Sequence, residues 1–139
     1  MRNVLIDAGP LIALFAVDDR HHAHYDCLIS DAPAGTLRLV TTWPCVVEAA
    51  YLLRAKLRFE LLDWIGRSAV QVFPFDTAHL LVMVPWMRRY GASTRREMDF
   101  ADASLIWLAH ETGLREIMTT DVNDFSRYRL PDGDALTLL

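Results

Sequence analysis

The chain opens Met1-Arg2-Asn3-Val4-Leu5-Ile6-Asp7-Ala8-Gly9-Pro10-Leu11-Ile12-Ala13-Leu14, and the reading of this stretch decides the fold. Val4-Leu5-Ile6 is a short, β-branched apolar run closed by Gly9-Pro10, which is the pattern of a buried strand that stops abruptly. Pro10 suits the start of a helix, because its missing N–H is not needed there and its φ is already helical. Asp7 is therefore expected at the C-terminal lip of a strand, where it opens a strand-to-helix turn.

Working outward, "TLRLVTT" (36–42), "VQVFPF" (70–75) and "REIMTT" (115–120) read as three more strands. Helical segments lie between them. "PLIALFAV" (10–17) is a short helix, and the polar "DDRHHAHYDCLISDA" (18–32) reads as a connector leading into a second one. "PCVVEAAYLLRAKL" (44–57) is apolar all round, and "FELLDWIGRSA" (59–69) continues helical to a break near Gly66. "DTAHLLVMVPWMRRY" (76–90) is helical, with Pro85 expected to kink or end it. After the loop "GASTRRE" (91–97), the helix "DFADASLIWLAHETG" (99–113) closes on Gly113, and "DVNDFSRYRLPDG" (121–133) reads as a loop. Alternating strands and helices predict an α/β fold, a parallel sheet flanked by helices on both faces, with ligands bound outside the C-terminal ends of the strands. Asp7 and Asp121 both fall at that edge.

The 139 residues suit one domain, residues 1–139, large enough to bury a core without staples. An apolar content of 53% with 23% charged residues is that of a packed globular protein. Asp7 and Pro10 cut the first apolar run well short of the ~18 residues of a membrane span, so a cytoplasmic protein with no membrane partner is expected. Cys27 and Cys45 have neither metal-ligand spacing nor the density of a disulfide scaffold. A net charge of −4 argues against bulk electrostatic coating of nucleic acid, although a local basic groove remains open. Of the 14 basic residues Lys56 alone is lysine, so any phosphate or carboxylate contact would be made by the planar arginine fork.

The acidic residues carry the chemistry. Glu48 lies among Val46, Val47, Ala49 and Ala50, where a buried charge requires compensation. Asp99 and Asp102, three residues apart, share one side of a helix, and Asp99 reads equally as an N-cap or as part of a site. Asp121 and Asp124 read either as turn formers or as site residues. Gathered together, carboxylates about 4 Å apart repel by roughly 4 kcal/mol at an effective dielectric near 20, so a cluster requires a cation. An all-oxygen set favours Mg2+ or Mn2+ over zinc. His21 and His24 read as a solvated pair. Arg88, Arg89, Arg95 and Arg96 either grip phosphates or form a solvated charge run.

Four stretches together resemble the PIN-domain ribonucleases, and within them the VapC-type toxins of toxin–antitoxin pairs. "VLIDAGPLIAL" (4–14), "WPCVVEAAYLL" (43–53), "MDFADASLIWLAHETG" (98–113) and "IMTTDVNDFSRYRL" (117–130) occur in that family's order and contexts. The resemblance implies a metal-dependent endoribonuclease with Asp7, Glu48, Asp102 and Asp121 as catalytic metal ligands, and Asp99 and Asp124 as supporting candidates. It further implies Mg2+ or Mn2+ as cofactor, Thr119, Thr120, Arg95 and Arg96 at the RNA substrate, a homodimer, and a cognate VapB-type antitoxin. Two other readings stay open, an RNA-processing nuclease without an antitoxin and a non-catalytic module of the same fold. A phosphotransfer enzyme of the haloacid-dehalogenase type is disfavoured, since Gly9 stands where its second aspartate would be.

Overall fold

The computed structural model describes residues 1–91 and 97–139; Arg95 and Arg96, expected at the substrate, lie outside the described residues. In chain order the elements are β1 (Arg2–Ile6), α1 (Ala8–Phe15), α2 (His22–Ser30), β2 (Leu37–Thr42), α3 (Trp43–Leu52), α4 (Ala55–Gly66) and β3 (Val70–Phe73). A 3-10 turn at Thr77–His79 follows, then α5 (Leu80–Gly91), α6 (Phe100–Thr112), β4 (Glu116–Met118), α7 (Val122–Arg127) and β5 (Thr137–Leu138). The five strands form one parallel sheet in the order β3-β2-β1-β4-β5.

Successive residues of β1 serve opposite faces. Val4 and Ile6 pack with Leu11, Tyr25, Val46, Leu61 and Ile65, whereas Leu5 packs with Met83, Leu105, Ile106 and Phe125. Because helices cover both faces, the strand is apolar at consecutive positions instead of alternating. The expected architecture is thus the observed one. From Ala101 to Ala109 every residue of α6 is buried, as befits a helix enclosed by the sheet, α3 and α5. Gly113 ends it in the left-handed region at φ 75°, and its N–H donates to Ala109 O.

The connections leaving β1 and β4 diverge at the middle of the sheet, since β2 lies on one side of β1 and β4 on the other. Crevices at such a switch point are where open α/β sheets bind ligands. The Asp7 N–H donates to Met118 O at 3.0 Å, which locks the lip of β1 to the end of β4.

Four local expectations are corrected. The helix read from residue 44 to a break near Gly66 is two helices, parted at Leu53 and Arg54, where Arg58 folds back from α4 and donates to the carbonyls of Ala50 (2.6 Å) and Leu53 (2.9 Å). The guanidinium thus satisfies orphan carbonyls at the end of α3. The second helix, expected beyond the connector 18–32, lies within that stretch as α2, and the loop read over 121–133 contains α7, started by the Asp121 carboxylate accepting from the Asp124 N–H. Pro85 does not end α5, which runs on to Gly91. The two-residue β5 was not anticipated. Among the described residues no helix is long and apolar enough to cross a membrane.

Arg58→Ala should cost about 1–2 kcal/mol of stability by leaving two helix-end carbonyls without their donor, while exposed Arg54→Ala should stay within about 0.5 kcal/mol. Denaturant unfolding of the two variants checks this, and equal effects would refute the role given to Arg58.

Candidate active site

Asp7 stands where β1 ends and α1 begins, and it is 7% exposed. Its Oδ1 accepts from the Ala8 N–H at 2.8 Å, and its Oδ2 accepts from the Thr119 hydroxyl at 2.9 Å. The carboxylate is therefore both the N-cap of α1 and a bridge to the end of β4. Thr119, expected at the substrate, is buried beneath Asp7 and also accepts from the Asp121 N–H. Thr120 lies at the cavity surface instead. Gly9 is required at its place in α1, because a Cβ there would overlap the Thr120 hydroxyl.

Asp102 and Asp99 arrive on α6. Asp99 caps the helix, its Oδ1 accepting from the Asp102 N–H at 2.8 Å. Asp102 is 7% exposed, and its Oδ2 accepts from the Tyr128 hydroxyl at 2.7 Å. Asp121 caps α7, and Asp124 on that helix accepts from Arg127 at 2.8 Å. Glu48 projects from α3, half-buried, and forms no ion pair among the described residues. The compensating partner expected for it is thus not a basic side chain of the described chain; the charges acting on it are those of Asp99, Asp7 and Asp121.

Asp7, Glu48, Asp99, Asp102 and Asp121 line one cavity of about 350 Å³. Asp102, Asp121 and Asp124 each also offer a carboxylate oxygen within 4.8 Å of the other two. The five cavity carboxylates come from four separate places in the fold, the β1–α1 junction, α3, the start of α6 and the β4–α7 junction, which meet at the sheet's switch point. Asp19 and His21 at the rim were not anticipated. His21, read as solvated, borders the acidic cavity, whereas its companion His24 packs edge-on against Tyr25. No sequence signal marks this difference, since it depends on how α2 is laid beside α1.

The electrostatics follow from crowding and burial. Burial, followed by the charge of Asp99, pushes Asp102 up to about 8. Burial also raises Asp7 to about 6, against the pull of the Ala8 and Thr119 hydrogen bonds. Glu48 is raised by burial and then by Asp99, Asp7 and Asp121. Each group binds protons more tightly than an ordinary carboxylate because the charged state is both desolvated and repelled. Cys45, with its Sγ 4.0 Å from Asp7 Oδ1, is pushed up by burial and by the Asp7 charge, so it remains a thiol and offers no soft anionic ligand. The donor set is hard oxygen, and it fits Mg2+ or Mn2+ better than zinc.

A sign follows for stability. With folded-state values above the ordinary 3.8, Asp7 and Asp102 contribute most below about pH 4, and that contribution is lost as pH rises through about 6 for Asp7 and about 8 for Asp102. In chelator, the melting temperature should therefore fall between about pH 5 and pH 8.5, and Mg2+ should restore it most at the alkaline end. Melting curves across that range check this; a profile that rises with pH would refute the raised values.

The PIN domain family matches the sequence over residues 4–130. Among solved structures, the chain is similar to the Mycobacterium tuberculosis toxin VapC20, described as cleaving the sarcin–ricin loop, with 18% identity over 86% of this chain and 91% of that one and a TM-score of 0.73. It is also similar to VapBC2 from Rickettsia felis, bound to a promoter DNA fragment, with 12% identity over 99% and 98% of the two chains and a TM-score of 0.64. FitAcB from Neisseria gonorrhoeae gives 16% identity over 88% and 90% and a TM-score of 0.54. No curated protein matches the chain in sequence. With its parallel sheet, its acidic switch point and a family match spanning nearly its whole length, the chain belongs to the PIN domain family.

Proposed function

We propose that the chain is a metal-dependent endoribonuclease and the toxin of a type II toxin–antitoxin pair. The observation that carries this reading is the convergence of Asp7, Glu48, Asp99, Asp102 and Asp121 on one cavity at the switch point of a PIN domain. Asp7, Glu48, Asp102 and Asp121 would hold Mg2+ or Mn2+, with Asp99 and Asp124 in support. A divalent ion bound there supplies charge stabilisation at the phosphate and favours deprotonation of the attacking water.

The chain's own residues prepare that chemistry. The Ala8 N–H and the Thr119 hydroxyl hold both oxygens of Asp7, so its carboxylate is oriented before any ligand arrives. Tight proton binding by Asp102 and Asp7 means that a cation must displace protons to occupy the site fully. Arg95 and Arg96, a few residues before Asp99 in sequence, would contact backbone phosphates, as would the hydroxyl of Thr120 beside the cavity. In-line attack by water breaks the bond between phosphorus and the 3′ oxygen, leaving a 5′-phosphate and a 3′-hydroxyl.

Two surfaces support the partners. Trp43, Val47 and Tyr51 of α3 are exposed and, with Phe75 and Phe100, line an almost wholly apolar groove that meets the acidic cavity at Glu48 and Asp99. A monomer seldom leaves such a patch uncovered, and a second copy of the chain is the occupant assigned to it. The acidic cavity suits an arginine of an antitoxin segment, which would pair bidentately with a carboxylate and exclude cation and substrate together. Solved relatives of the same fold include the VapBC2 pair.

RNA incubated with the purified chain and Mg2+ or Mn2+ should be cut to 5′-phosphorylated fragments, and EDTA should stop the reaction. Asp7→Asn and Asp102→Asn should each lower the rate at least about a hundredfold while the protein still melts cooperatively. Cleavage that survives chelation would overturn the metal mechanism.

A further inference from the structure

Tyr128 is not among the carboxylates, yet it touches them. It is 1% exposed, and its ring is wedged edge-on between Tyr90, with centroids 5.0 Å apart, and Phe125, at 5.1 Å. Packed on two sides, the ring gives its hydroxyl little freedom. That hydroxyl donates to Asp102 Oδ2 at 2.7 Å in a buried setting, a well-formed hydrogen bond shielded from water.

The origin of Tyr128 gives the contact its meaning. Tyr128 is the C-cap of α7, whose N-cap is Asp121 and whose first turn carries Asp124. One six-residue helix thus presents two carboxylates near its start and returns a hydroxyl from its end to a third carboxylate on α6. Asp102 is fixed from the other side as well, through its N–H on Asp99. The distance between the Asp102 carboxylate and the Asp121–Asp124 pair is accordingly set by the length of α7 and by the Tyr128 hydrogen bond. Other tyrosine hydroxyls nearby do different work: the buried Tyr25 donates to the main-chain oxygens of Thr119 and Leu139, and the partly buried Tyr90 bonds the main chain of Arg129.

We propose that Tyr128 is a positioning residue, its hydroxyl holding the Asp102 carboxylate at the spacing from Asp121 and Asp124 that a divalent cation needs. This rests on the metal-site reading above, and it adds a residue that touches neither the cation nor the RNA. Outer-shell partners of this kind, which orient a metal-binding carboxylate, are worth tenfold to a hundredfold in affinity or activity.

Tyr128→Phe keeps the ring packing and removes only the hydroxyl. Mn2+ binding, followed by the electron paramagnetic resonance of the free ion, should weaken tenfold to a hundredfold in this variant. Tyr90→Phe, which loses a hydroxyl that does not reach Asp102, should bind Mn2+ within about twofold of the parent. In an Asp102→Ala background, Tyr128→Phe should cost no further affinity, because the acceptor of its hydroxyl has gone. With RNA, kcat should fall while KM is kept. Unchanged Mn2+ affinity in Tyr128→Phe, equal loss in Tyr90→Phe, or an additive loss in the double variant would each overturn the proposal. A parent protein that binds Mn2+ with the expected differences but cuts no RNA would refute the ribonuclease reading and leave the role of Tyr128 standing.

Discussion

Carboxylates that crowd one cavity repel each other, and in this chain the fold is arranged around that repulsion. Two unit charges about 4 Å apart cost roughly 4 kcal/mol at an effective dielectric near 20, a large fraction of a domain's net stability. The backbone nevertheless brings Asp7, Glu48, Asp99, Asp102 and Asp121 to a single edge. The donors that fix Asp7, Asp99 and Asp102 are neutral: the Ala8 N–H, the Thr119 hydroxyl, the Asp102 N–H and the Tyr128 hydroxyl. Such contacts orient the carboxylates without cancelling their charge. What is left over is a directed negative potential, relieved either by protons or by a hard cation.

The same constraint accounts for the scaffold. Asp7 and Asp121 sit immediately beyond β1 and β4, where connections leave the sheet in opposite directions and open a crevice. α6 is buried along most of its length, so the carboxylates at its first turn are held by a helix that cannot move independently of the core. α3 contributes Glu48 from its partly open side, and the apolar groove on that helix continues directly into the cavity. A partner seated on α3 would therefore border the acidic cavity.

Much of this was legible in the sequence because it is written locally. Val4-Leu5-Ile6-Asp7 announces a buried strand with an acid at its lip, and Asp99-x-x-Asp102 ahead of a long apolar run announces a capped helix with a carboxylate in its first turn. Other features depend on contacts between distant residues and carry no local mark. The break between α3 and α4 has neither Gly nor Pro at it; it is held by a guanidinium reaching back from Arg58. β5 is two residues long and exists through its pairing with β4. His21 and Asp19 reach the cavity rim, and Tyr128 reaches Asp102, through tertiary placement alone. Asp99 shows the limit from the other direction, being a helix cap and a cavity carboxylate at once, so the two readings of its sequence position were never exclusive.

Asp102, raised to about 8 by burial and by the charge of Asp99, is the carboxyl from which a divalent cation entering the cavity near neutral pH would displace a proton. Calorimetric titration of Mn2+ into the protein at about pH 7, repeated in buffers of differing ionisation enthalpy, counts the protons released per ion bound. With Asp102 raised to about 8 and Asp7 to about 6, binding should release close to one proton per ion. Binding with no proton release, or no binding at all, would contradict the account.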